Sequence, residues 1–187
     1  MKLPRVIFVL VFALTIPLLL TAKDKQEEGA DAKGAGSDST TKGIAWLSYA
    51  EASERAAEDG QHVFIHFTTK WCGWCRKMER ETYTDPRVIE MLNENFAPVQ
   101  VWADSDDEVE IEGYFMSQKA LARQEFGVSS YPQYWFVSPE KAKVGPLKGY
   151  FPADNFMKAL NFVKDYQYDP TRTSADSSSR GGKQSGK

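Results

Sequence analysis

A chain of 187 residues that is 42% hydrophobic and 13% aromatic can bury one sizeable core, so a single globular domain with tails is expected. Its net charge of −3 carries no basic footprint, which argues against nucleic acid as a partner. No glycine-rich loop suited to cradling phosphate occurs.

Lys2 and Arg5 precede an apolar run over residues 6–20, broken only by Thr15 and Pro17. That order of charge and apolarity matches an export signal, so the protein is expected outside the cytoplasm. A cut after Ala22 would put Leu20 at the −3 position, where small residues are preferred. The run is also shorter than the roughly 20 residues that span a bilayer comfortably. Residues 1–22 therefore read equally as a removed signal peptide and as a retained N-terminal membrane anchor. Residues 23–43 are almost all Lys, Asp, Glu, Gly, Ala, Ser and Thr, too polar to offset the entropy of ordering. They read as a disordered linker reaching roughly 25 Å, and residues 169–187 read as a disordered tail of similar character. The final four residues, Gln184, Ser185, Gly186 and Lys187, lack an endoplasmic-reticulum retention sequence, which favours a bacterial periplasm, with the protein free or held at the inner membrane.

The folded domain is expected over residues 44–168. Ser48 and Glu51 form a capping-box pattern for a helix that Gly60 can end, with Trp46 and Leu47 packing inward before it. Residues 63–67, Val-Phe-Ile-His-Phe, form a nearly unbroken apolar run, as in a strand covered on both faces. Asp85 and Pro86 supply an N-cap and a first-turn proline for a helix whose inward face is Val88, Ile89 and Leu92. A second buried strand is predicted over residues 96–102. The acidic stretch 104–112 reads as a solvated loop or hairpin rather than a metal site. Ser117 can cap a helix that Gly127 closes. Residues 134–137 and 147–151 are predicted as hairpin strands, and Phe156, Leu160 and Val163 mark one face of a last helix. Alternating β and α elements that end in a hairpin and a helix imply an α/β fold, a central mixed sheet with helices on both faces.

The apolar strand delivers the chain to Trp71-Cys72-Gly73-Trp74-Cys75, which holds the only two cysteines, at a spacing that lets their sulfurs close a disulfide. If this stretch opens a helix, Cys72 lies among unpaired N–H groups at the positive pole. Lys70, Arg76 and Lys77 add positive charge. Each unit of fall in thiol pKa is worth about 1.4 kcal/mol in favour of the thiolate, which is the attacking species. Cys75, one turn further in, is expected to be shielded and Cys72 exposed. Zinc would need four ligands, and the two histidines, His62 and His66, would stand about 13 Å apart on an extended strand. Arg76 occupies the place where haem attachment requires histidine. A purely structural disulfide of this span would constrain little chain entropy by the loop-length model. Thiol redox chemistry is the reading that remains, with no bound cofactor and no metal.

The WCGWC motif after an apolar strand, Tyr131-Pro132 before another strand, and a glycine-containing hairpin before a final helix together resemble the thioredoxin superfamily over about residues 44–166. Within it the chain is similar to exported members, including the C-terminal domain of the disulfide-reducing membrane electron transporter and thioredoxins linked to bacterial sulfur oxidation. The resemblance implies a thioredoxin fold, with Cys72 attacking, Cys75 resolving, Trp71 and Trp74 beside the site and Pro132 a cis-proline facing the disulfide. The family usually keeps a buried acid six residues before the first cysteine, where this chain has His66, and a lysine where Gln100 falls. His66 is therefore the candidate for moving the proton of Cys75. Tyr131 replaces the small or β-branched residue usual before the proline, and with Trp74 it bears on substrate choice.

The expected function is thiol–disulfide exchange with protein disulfides outside the cytoplasm, in the reducing direction, by a monomer. A membrane electron-donor protein is a candidate partner. The competing reading is a thioredoxin-fold binding module or holdase with little redox turnover.

Overall fold

The computed structural model describes residues 43–172. The expected export segment, the expected linker up to residue 42 and the expected tail beyond residue 172 lie outside the described residues.

Helix α1 (Tyr49–Asp59) begins at Ser48, whose Oγ accepts from the Glu51 N–H at 3.2 Å while Glu51 Oε2 accepts from the Ser48 N–H at 2.9 Å. This is the capping box read from the sequence, a cap of the kind worth about 1 kcal/mol. Gly60 ends the helix at φ 67°, a conformation that costs glycine nothing.

Strand β1 (His62–Thr68) is buried at every position. Strand β2 (Phe96–Trp102) pairs with it in parallel, β5 (Gln133–Val137) pairs antiparallel on its other side, and β6 (Lys143–Lys148) completes the order β2-β1-β5-β6. Alternate residues of β1 feed two cores. Val63, Ile65 and Phe67 pack with Ala52 and Ala56 of α1 and with Leu121 and Phe126. Phe64 packs with Met78, with Val88 and Leu92 of α3 (Pro86–Asn95), and with Phe156 and Leu160 of α5 (Ala153–Lys164). Each fully buried Phe or Leu removed from water contributes roughly 1.5–3 kcal/mol, so β1 is the strand on which both layers depend. The result is the α/β thioredoxin fold expected from the sequence.

Two helices depart from regular geometry. The helix opened by the CxxC motif, α2 (Gly73–Lys77), passes into a π-helical turn at Met78–Thr82, and α4 (Gln118–Ala120), capped by Ser117, passes into another at Leu121–Glu125. The acidic stretch does form a hairpin, β3 (Glu108–Ile111) with β4 (Tyr114–Ser117). Its two-residue turn has Glu112 at φ 49° and Gly113 at φ 87°, both positive as a type I′ turn requires.

One predicted strand needs correction. The sequence places the last strand at residues 147–151, but the ladder runs Lys143–Lys148. Gly145 and Pro146 obscure it, yet both are tolerated because β6 is an edge strand. The aromatic residues that follow turn away to dock on the π-helical turn: the Phe151 N–H donates to Met78 Sδ at 3.3 Å, and the Thr82 hydroxyl donates to the Phe151 carbonyl at 2.6 Å. No helix among the described residues is long and apolar enough to cross a membrane.

Candidate active site

The carboxyl ends of β1 and β2 hold the cysteine pair, the position where open α/β sheets place their sites. Cys72 is the N-cap of α2, and its Sγ accepts the Cys75 backbone N–H at 3.0 Å. The two sulfurs are joined in a disulfide, with Cα atoms 5.3 Å apart. The expectation of an exposed Cys72 is corrected here: Cys72 is 4% and Cys75 1% accessible. In the closed form each sulfur is turned against the other, with the Cys75 N–H directed at Cys72 Sγ. The two cysteines are therefore distinguished by a donor rather than by exposure.

The loop leading into Cys72 is clasped from both sides. The Lys70 N–H donates to Asp104 Oδ2 at 3.0 Å, and Arg76 Nη1 donates to the Lys70 carbonyl at 3.0 Å. The Ala103 N–H, at the end of β2, donates to the Thr68 carbonyl at 2.8 Å. Arg76 thus folds back over the motif, where a methyl group added at Gly73 would meet its Nη2 at 4.0 Å.

Aromatic rings surround the pair. Trp71 is 68% exposed and meets the Tyr131 ring edge-on at 5.7 Å. Trp74 is 59% exposed and lies 5.9 Å from the Tyr150 ring, with Lys77 Nζ 4.4 Å from the centre of Tyr150. The Tyr150 hydroxyl donates to Glu81 at 2.6 Å. The Tyr131–Pro132 peptide bond is cis and Pro132 is buried. Burial raises the Tyr131 phenol, with Arg123 opposing and Asp104 reinforcing the shift.

His66 is fully buried, with Tyr134 stacked at 5.3 Å, Tyr83 edge-on at 5.3 Å and Trp46 at 6.1 Å. Neither ring nitrogen has a hydrogen-bond partner among the described residues, Cys75 included. Burial lowers its pKa to about 3, so the ring is neutral across the ordinary pH range. Gln100 stands opposite His66 in the β1–β2 register.

Three contributors escaped the sequence reading. Asp104 could have been found from topology, since it follows β2 at the same sheet end as the cysteines. Tyr150 was hidden inside a predicted strand. The backward fold of Arg76 has no signal in the sequence.

A thioredoxin fold presenting a CxxC pair at disulfide distance defines a site of the thiol–disulfide oxidoreductase type. Residues 49–164 match the family model described as Thioredoxin-like domain, and the chain belongs to that family. Uncharacterized protein B0495.5 of Caenorhabditis elegans is 26% identical over 114 residues, covering 60% of this chain and 14% of that protein. Spermatogenesis-associated protein 20 of Rattus norvegicus is 24% identical over 114 residues, covering 60% of this chain and 13% of that protein. The chain thus spans only a small part of these relatives' length. Among solved structures, a thioredoxin from Thermus thermophilus is 29% identical with a TM-score of 0.53, over 65% of this chain and 87% of the other.

Proposed function

We propose that the protein reduces protein disulfides outside the cytoplasm. The observation that carries the redox reading is the Cys72–Cys75 pair at the cap of α2, with the Cys75 backbone donor aimed at Cys72 Sγ. Cys72 as thiolate attacks a partner disulfide, releasing one partner thiolate and forming a mixed disulfide. Cys75 then loses its proton and attacks Cys72 Sγ, which frees the second partner thiol and leaves the protein oxidised. A hydrogen bond from the Cys75 N–H to a charged Cys72 sulfur stabilises the attacking thiolate. Pro132, Trp71, Trp74 and Tyr131 are assigned to holding the partner chain. His66 is assigned as acceptor of the Cys75 proton: burial keeps the imidazole neutral, and because the same burial disfavours its cation it is a weak base that would pass the proton on at once.

The reducing direction is supported by likeness to the Thermus thermophilus thioredoxin, and the extracytoplasmic location by the export-like residues 1–22. Turnover then requires an external dithiol donor, for which a membrane electron-donor protein is the candidate. Titration in glutathione buffers tests the direction. A midpoint nearer the thioredoxin value of about −270 mV than the strongly oxidising value of about −120 mV is expected; a midpoint near the latter makes the protein an oxidant. Fractionation of the native host tests the location, with a cytoplasmic pool the contrary result.

A further inference from the structure

Residues 70–77 hold three cations, Lys70, Arg76 and Lys77, and no carboxylate, in a chain whose net charge is −3. Lys77 is engaged, lying 3.8 Å from Glu81 and over the rings of Trp74 and Tyr150. Lys70 and Arg76 are exposed. So is Arg123, close enough to Tyr131 to act on its phenol. None of these three has a carboxylate of the described residues within salt-bridge distance.

Two nearby acids, Asp104 and Glu81, are engaged elsewhere. Asp104 accepts the Lys70 N–H through Oδ2 and its Oδ1 is buried. Glu81 accepts the Tyr150 hydroxyl. Arg76 is held in place by its bond to the Lys70 carbonyl, with Nη2 beside Gly73 between the two cysteines. A guanidinium anchored this way loses little further entropy on binding, and its remaining N–H groups suit a carboxylate fork.

We propose that this rim selects protein disulfides whose cysteines are flanked by Asp or Glu, with Arg76 as the principal contact and Lys70 and Arg123 supplying the surrounding field. The proposal rests on the oxidoreductase reading and narrows its substrate class. Trp71 and Trp74 supply apolar contact with either kind of partner, while the cations discriminate between them. Such discrimination acts mainly through encounter and is screened by salt.

The test uses the reduced full-length protein and three disulfide-bonded peptides with one ring sequence, flanked by Glu, Ser or Lys. Second-order rate constants are read from tryptophan fluorescence and divided by each peptide's constant with dithiothreitol, which removes intrinsic differences in disulfide reactivity. The Glu-flanked peptide is expected to lead the Lys-flanked one about tenfold at low ionic strength. That ratio should shrink severalfold near 1 M salt, and severalfold in Arg76→Gln at low salt, whereas Lys158→Gln on α5 leaves it unchanged. Equal normalised constants, or a preference that survives Arg76→Gln and salt, overturn the proposal and leave the redox reading standing. Failure to reduce any of the three peptides overturns both.

Discussion

The Cys75 backbone N–H donates to the Sγ of Cys72 at 3.0 Å, and among the described residues no hydrogen bond is donated to the Sγ of Cys75. Two residues of one type thereby acquire different chemistry, because a donor aimed at a sulfur lowers the free energy of its thiolate. In Cys75→Ser, Cys72 should accumulate mixed disulfides with partner proteins, whereas Cys72→Ser should not. Reduced wild type should be alkylated first at Cys72. Equal trapping by the two variants would contradict the assigned order.

Acid stability follows from the histidines. Burial lowers the pKa of His66 to about 3 and of His62 to about 4, against an ordinary value near 6.5. Between those limits the unfolded chain binds more protons than the folded one, so stability is full above about pH 6.5 and falls as pH drops. His66 alone is expected to remove about 2 kcal/mol between pH 7 and pH 5. Urea unfolding at the two pH values measures this, and His66→Phe should flatten the loss; an unchanged slope would show that another group controls it.

His66→Phe also separates a proton-transfer role from packing. Single-turnover reduction of a model disulfide should show slower release of the mixed disulfide with the initial attack by Cys72 nearly unchanged. An unaltered resolution rate in the folded variant would leave His66 as a core residue among Trp46, Tyr83 and Tyr134.

Asp104 is expected to stabilise the loop before the motif. Asp104→Ala removes the acceptor of the Lys70 N–H, at a cost of about 1–2 kcal/mol. Urea denaturation of the oxidised protein checks this, and a change under about 0.5 kcal/mol, the ordinary range for surface substitutions, would show that water replaces the carboxylate.

Tyr131→Thr removes the ring that meets Trp71. It is expected to change the relative rates with different protein disulfides severalfold while shifting the unfolding midpoint little. The reverse pattern, lost stability with unchanged preference, would assign Tyr131 to packing.

What could be read from the chain depended on whether local chemistry and tertiary need agreed. Ser48 with Glu51, Asp85 with Pro86, and the run into the cysteines announced their elements because cap, period and burial all pointed one way. Strand β6 lies earlier than its composition suggests because Gly145 and Pro146 are poor strand residues that only an edge position excuses, while Tyr150 and Phe151 look like strand but dock on the π-helical turn, Tyr150 at Glu81 and Phe151 at Met78 and Thr82. The π-helical turns at Met78–Thr82 and Leu121–Glu125 follow ordinary helical composition and gave no warning. In the site, the cysteines were legible from spacing. The Asp104 clasp and the fold-back of Arg76 depend on contacts that no local pattern encodes.

The most direct measurement is turnover of insulin disulfides with dithiothreitol as donor, comparing the full-length protein with the Cys72→Ser, Cys75→Ser double variant. Wild type should accelerate insulin precipitation well above the uncatalysed rate, and the folded double variant should leave it at that rate. Equal rates for the two proteins would contradict redox turnover at Cys72 and Cys75 and leave the fold as a binding module.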